Sequence, residues 1–180
     1  MINNMKVTMV LVASLNGKIT KGDDPNIHSW ASKEDFKFFS FLRDRHNLII
    51  MGRKTYETVR DEIKLTPKRL RIVLTKEPSK YVRDVVNGSL EFTKENPKEL
   101  LRRLSSKGYK NALVVGGSEI NSLFIKSGLV DELYVTIEPK VFGSGKPLFA
   151  EGEFESTFKL IRVKKLNIRG TLNLKYKIEK

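Results

Sequence analysis

Six short apolar runs punctuate the chain, at 7–14, 48–51, 71–74, 90–92, 112–115 and 132–137, and helical periodicity fills several of the intervals between them. Several of the runs are nearly continuous in apolar residues, as expected of strands covered on both faces. Strands alternating with helices imply a parallel sheet and an α/β architecture. The spacing predicts helices over 33–45, with Phe36, Phe39, Phe41 and Leu42 on one face, over 97–107, with Leu100, Leu101 and Leu104, and over 119–127, with Ile120, Leu123 and Phe124. Ser32 caps the first, Asn96-Pro97 opens the second, and Gly108 and Gly128 end the second and third. Beyond Val141 two alternating segments, 158–166 and 170–178, meet around Asn167–Gly170 and predict an antiparallel hairpin at the end of the sheet. With 180 residues and no repeat or linker, one domain over 1–180 is expected.

Composition narrows the chemistry. The absence of cysteine removes disulfides, thiolate metal sites and a cysteine nucleophile, and fits a reducing compartment, so a cytoplasmic location is expected. The first apolar run is far short of the roughly 20 residues that span a bilayer and reads as a first strand, neither signal nor anchor. A net charge of +13 draws in anions. The basic residues are spread along the chain and no helix-turn-helix, RNA-binding strand motif or basic tail accompanies them, so small phosphorylated ligands are expected before nucleic acid. His28 and His46 have no ligand spacing, so no metal is expected, and His28 reads as a solvated loop residue. No G-x-S-x-G elbow, Walker loop or G-x-G-x-x-G fingerprint occurs.

Two turns carry the functional signal. In Gly52-Arg53-Lys54-Thr55 a buried strand emerges into a helix through a glycine and two cations, which suits a phosphate; the alternative is an ordinary corner with solvated cations. The run 113–118 ends another strand in Gly116-Gly117-Ser118, where the alternative is close helix–strand packing. In a parallel sheet both lie at the carboxyl edge, where ligands bind, and together they would grip an extended dinucleotide. Thr75-Lys76 ends a third strand; a 2′-phosphate held by Arg53 and Lys76 would select NADPH. Asp35 shares a helical face with Phe36 and Phe39. A carboxylate in apolar surroundings suits a ligand with paired N–H donors, such as the edge of a pterin or diaminopyrimidine; a first-turn acid favoured by the helix dipole is the other reading.

The stretches WASKEDFKFF, IIMGRKTYET, TPKRLRIVLT, VVGGSEI and LYVTIEP resemble dihydrofolate reductases in order and spacing over nearly the whole chain, and most of all the dimeric enzymes of hyperthermophilic bacteria. GLVDELYVTIEPKVFGSGKPLF is equally similar to the reductase domain of riboflavin biosynthesis, which shares that fold. The resemblance implies a three-layer fold, a mostly parallel sheet with helices on both faces, and hydride transfer from NADPH to an imine carbon of 7,8-dihydrofolate. By that resemblance Asp35 binds the pterin and promotes protonation, Thr136 bridges Asp35 to the ring, and Trp30 closes the site from a mobile lid over 20–29. Val12, Phe36 and Phe39 line the substrate pocket, and Arg69 binds the substrate's α-carboxylate. Gly52, Arg53, Lys54, Thr55, Thr75 and Lys76 hold cofactor phosphates; Gly116, Gly117 and Ser118, with Glu119 and Ile120, take the pyrophosphate; and the nicotinamide lies near Ala13 and Ile19. It implies a homodimer through 141–149 and the terminal strands. Three features depart from the pattern: Asn121 stands for a tyrosine, Ser118-Glu119 for a glycine and a basic residue, and Asn16-Gly17 is shared with the riboflavin enzymes. Those enzymes' G-x-x-T-x-x-x-D-x-P stretch is absent, which favours dihydrofolate over the ribosylaminopyrimidine phosphate of riboflavin synthesis.

Overall fold

The computed structural model describes residues 5–179. Its strands are β1 (Lys6–Ser14), β2 (Leu48–Gly52), β3 (Leu70–Leu74), β4 (Leu90–Thr93), β5 (Asn111–Val114), β6 (Glu132–Glu138), β7 (Phe158–Lys165) and β8 (Leu172–Ile178). The helices are α1 (Lys33–Arg43), α2 (Arg53–Val59), α3 (Pro97–Ser106) and α4 (Ser118–Lys126). One eight-stranded sheet runs β4-β3-β2-β5-β1-β6-β8-β7. Pairings from β4 to β6 are parallel; β8 and β7 form the expected antiparallel hairpin, with β7 at the edge.

The elements form where local chemistry asks for them. The Ser32 hydroxyl accepts from Asp35 N and the Asn96 side chain from Glu99 N, so α1 and α3 each begin on a satisfied cap. The helix expected over 33–45 stops at Arg43, with Asp44 as its C-cap. β5 ends at Val114, one residue before the expected end, although Val115 N–H still donates across to Ile50 O.

Strand alternation divides the interior in two. Leu70, Ile72 and Leu74 face α3 and α4, packing with Leu100, Leu104 and Phe124. Ile49, Met51 and Val73 face α1 and α2, packing with Phe38, Phe39, Leu42 and Tyr56. Three layers result. Among the described residues no helix is long and apolar enough to cross a membrane.

Candidate active site

Asp35 lies in the first turn of α1 and is only 4% exposed. The cap fixes its position: Ser32 ends the preceding loop, so the next turn must lay Asp35 against the sheet. Burial pushes its carboxyl up to about 6; a hydrogen bond from Thr136 pulls the other way and the nearby Glu138 carboxylate adds to the rise. Thr136 is fully buried and accepts from Asn173 Nδ2 at 3.2 Å, leaving its own proton for Asp35. A carboxyl with that affinity holds a proton near neutrality or gives it up, as a general acid must.

Apolar side chains surround it. Val12 pairs with Thr136 across β1 and β6 and so stands beside it on the same face. Phe36 and Phe39 are partly buried on α1, Phe39 within the core on that face. His28 stacks flat on Phe36, with ring centroids 4.5 Å apart, and its Nε2 lies 3.0 Å from Glu62 beyond α2. His28 stays exposed in its loop, as expected of a solvated residue, while its ring links α1 to the segment after α2. Trp30 is 4% exposed and meets Phe142 edge-on at 5.2 Å, with its indole N–H enclosed and unpartnered.

The loop expected to act as a lid is anchored at its start. Ile19 N donates to Lys146 O, Lys146 N to the Thr20 hydroxyl, and Gly22 N to Ser144 O. A Cβ on Gly145 would lie 2.1 Å from Thr20 O, so only glycine permits that approach. The segment 141–149, expected at a subunit interface, also makes contacts within the chain here, while Val141 stays exposed. Phe142 is buried, and the carbonyls of Pro147, Leu148 and Ala150 accept from Ser118, Asn121 and Ser122 of α4. Further exposed apolar surface lies on the terminal strand β7, where Leu160, Ile161 and Val163 are about half exposed.

The two glycine turns are neighbours. Gly52 N–H donates to Gly116 O at 2.8 Å, and a Cβ on Gly52 would lie 2.7 Å from the Ile120 side chain. Gly52 is thus explained by packing, and its N–H is spent on the sheet; what the turn leaves for an anion is Arg53, Lys54 and Thr55. A Cβ on Gly117 would meet the Thr55 hydroxyl at 3.5 Å, so the two turns converge there. Unlike α1 and α3, both α2 and α4 start on glycines that supply no side-chain cap, which leaves first-turn N–H groups for a ligand. Arg53 pairs with Glu57 at 2.7 Å, Lys54 lies 3.6 Å from Glu119, and Lys76 is exposed. Thr75 accepts from Glu77 N, so its hydroxyl proton stays available. The Asn121 carbonyl oxygen beside Gly116 is buried without a donor. Ala13 is fully buried, one residue along β1 from Val12 and so facing the opposite way; only its main chain is open to a nicotinamide.

Arg69 lies at the opposite, amino edge of the sheet. Its guanidinium donates to Asp44 and to His46 O, both at 3.1 Å, so it is already occupied. Two buried charges escaped sequence reasoning. Glu138 is 2% exposed and accepts from Ser32 N and the Thr171 hydroxyl, both at 2.8 Å. It thereby holds the start of α1, and Asp35 with it. Arg71, 5% exposed, lies inside β3. In each case the signal was a charged residue in step with inward positions, Glu138 with Thr136 and Arg71 with Val73. Among the described residues no cluster of three acidic or histidine side chains is gathered as a metal site.

Comparison with known proteins agrees with this architecture. The family model described as the RibD C-terminal domain matches residues 5–172. An uncharacterized protein, YwjB of Bacillus subtilis (strain 168), is 30% identical over 171 residues, covering 92% of this chain and 90% of that one. A dihydrofolate reductase of Aedes albopictus is 29% identical over 144 residues, 73% of this chain and 72% of its own. A solved structure of a putative riboflavin biosynthesis protein from Shewanella sp. PV-4 superposes with a TM-score of 0.78 at 24% identity, over 98% of this chain and all of the other. The chain belongs to the RibD C-terminal domain family, a reductase family related to the dihydrofolate reductases.

Proposed function

We propose that the protein is an NADPH-dependent reductase of 7,8-dihydrofolate. The observation that carries this reading is Asp35, an enclosed carboxyl raised to about 6 and hydrogen-bonded by Thr136 at the carboxyl edge of the sheet. A buried acid without a cationic partner suits a ring that presents paired N–H donors and takes up a proton during reduction. NADPH would supply the hydride. Arg53, Lys54, Thr55, Thr75 and Lys76 would hold its phosphates, with the first turn of α4 at Ser118, Glu119 and Ile120 on the pyrophosphate. Val12, Phe36 and Phe39 would orient the ring, and Trp30 with the anchored 20–29 loop would exclude water. The outer edge of β7 is the surface open to a second copy, and a homodimer is expected through it.

A second substrate remains in view because the family model and the structural neighbour point towards riboflavin biosynthesis: the ribosylaminopyrimidine phosphate, 5-amino-6-(5-phosphoribosylamino)uracil or its diamino precursor, whose ring offers similar donors. The deciding experiment follows NADPH oxidation by the purified protein with each substrate alone and in competition. Turnover of dihydrofolate, inhibited weakly by the pyrimidine, supports the first reading; turnover of the pyrimidine alone replaces it. Oxidation of neither would end both.

A further inference from the structure

Behind Asp35 stands a buried amide with one end in use. Asn173 on β8 lies directly across from Thr136 on β6, and both are 0% exposed. Asn173 Nδ2 donates to Thr136 Oγ1 at 3.2 Å, while its Oδ1 is enclosed with no donor. A buried amide oxygen without a partner is costly, and an apolar side chain at this strand position would avoid that cost. The charged groups packed around the pair are engaged elsewhere. Glu138 on β6 accepts from Ser32 N and the Thr171 hydroxyl, Glu34 on α1 accepts from Asn167, and Lys175 on β8 pairs with Glu132. Lys164, opposite Asn173 on β7, is exposed. Among the described residues Thr136 is therefore the partner that decides which end of the amide faces inward.

Thr136 must serve two states of its other neighbour. While Asp35 is ionised, the Thr136 hydroxyl donates to the carboxylate and its oxygen takes the Asn173 N–H. Once Asp35 is protonated, its O–H can donate to Thr136 Oγ1, and the Thr136 proton then needs another acceptor within the buried wall. Asn173 Oδ1 is such an acceptor, half a turn of the amide away. The two ends of a carboxamide are alike in size and its last torsion is roughly two-fold, so the turn needs no repacking.

We propose that the Asn173 carboxamide is a rotor that follows the proton on Asp35, with Nδ2 facing Thr136 when the acid is ionised and Oδ1 facing it when the acid is protonated. Asn173 is then a positioning residue that acts on Asp35 through Thr136. The proposal rests on the reading of Asp35 as the proton donor. An enclosed acid that gives up its proton needs support before and after the transfer. A fixed donor behind Thr136 would favour only the ionised form, and a fixed acceptor only the neutral one.

Side-chain NMR of the ligand-free protein tests the rotor without turnover. In wild type the nuclear Overhauser contact between the Asn173 Nδ2 protons and the Thr136 methyl should be strong while Asp35 is ionised. It should weaken sharply as pH falls, with the midpoint at which the Asp35 carboxyl carbon titrates, about 6. In Asp35→Asn the contact should not respond to pH. Asn173→Leu removes both orientations at once, so the carboxyl midpoint and the falling limb of the kcat profile should stay within about 0.3 pH unit of wild type. Loss of a fixed donor would instead raise both by roughly 0.5–1 pH unit. That rise, or a contact that persists unchanged through the wild-type titration, overturns the proposal. If Asn173→Leu does not fold, the wild-type and Asp35→Asn spectra decide it. If wild type reduces neither dihydrofolate nor the pyrimidine, the reading of Asp35 as donor has failed, and the spectra still decide whether the amide turns.

Discussion

The two faces of the sheet obey different rules. Against α3 and α4, Met9, Leu48, Ile50, Ile72, Leu100, Leu104, Val114 and Phe124 are all 0% exposed, and the buried polar groups of α4 are neutral. Asn121 and Ser122 there donate to the carbonyls of Leu148 and Ala150. Against α1 and α2 lie the three buried charged residues of the described chain, Asp35, Arg71 and Glu138. Both faces shed water, but only the second keeps charges out of it, at an energetic cost that hydrophobic packing does not need. On the proposed function one face holds the sheet together and the other would hold a ligand, so substitutions on the two should fail in different ways.

The largest expected effect falls on the charged face. Asp35→Asn removes the proton donor while keeping size and polarity, and should lower turnover at neutral pH by roughly 10²- to 10⁴-fold with the fold intact. NADPH oxidation measured alongside circular dichroism checks it, and full turnover in the variant would erase the distinction between the faces. Leu100→Ala on the apolar face should do the converse. It should cost about 2–5 kcal/mol in denaturant unfolding and leave kcat/KM per folded molecule unchanged.

A third prediction uses pH to separate the faces. Because the folded carboxyl of Asp35 is raised to about 6 from an ordinary aspartate value of 3.8, its protonated form favours folding. That contribution is fully present below the unfolded value and is lost as pH rises through about 6, so ionising Asp35 should destabilise the protein by about 3 kcal/mol at neutral pH. Asp35→Asn should therefore be more stable than wild type at neutral pH, with the gap closing towards about pH 4. Denaturant melts across that range measure it. A variant less stable than wild type at neutral pH would mean that Asp35 is held by the fold itself.

How far sequence reached follows the same division. The framework was legible because packing is periodic: alternating strand positions and helical spacing located every strand and the helices over Lys33–Arg43, Pro97–Ser106 and Ser118–Lys126 to within a residue or two. Asp35 was legible because the Ser32 cap sets its phase on α1. Gly52 was not, since its need to be glycine comes from Ile120 on α4, a contact that exists only once β2 and β5 are adjacent. Glu138 and Arg71 were passed over because a charged residue near a strand end reads locally as solvent-facing. The burial of Glu138 is imposed by α1, distant in sequence, and that of Arg71 by the way the chain before β3 folds back over it. The contacts that 141–149 makes within the chain were not legible for a similar reason: its partners, the 15–22 loop and α4, lie elsewhere in the chain.

The smallest effect is expected at Glu138, and it tests whether the charges on that face act together. Its carboxylate receives the Ser32 N–H and the Thr171 hydroxyl, so it fixes the start of α1 without reaching the cleft itself. It also raises the Asp35 carboxyl by like-charge repulsion. Glu138→Gln keeps an oxygen for Ser32 and removes the charge, so Asp35 should ionise at lower pH. If Asp35 is the proposed proton donor, turnover needs it protonated, so the falling limb of the kcat profile should move to lower pH while its plateau changes little. A simple loss of helix anchoring would instead lower the plateau at every pH and leave the limb where it was. The shift should vanish in the Asp35→Asn background, because there the repulsion has nothing to act on.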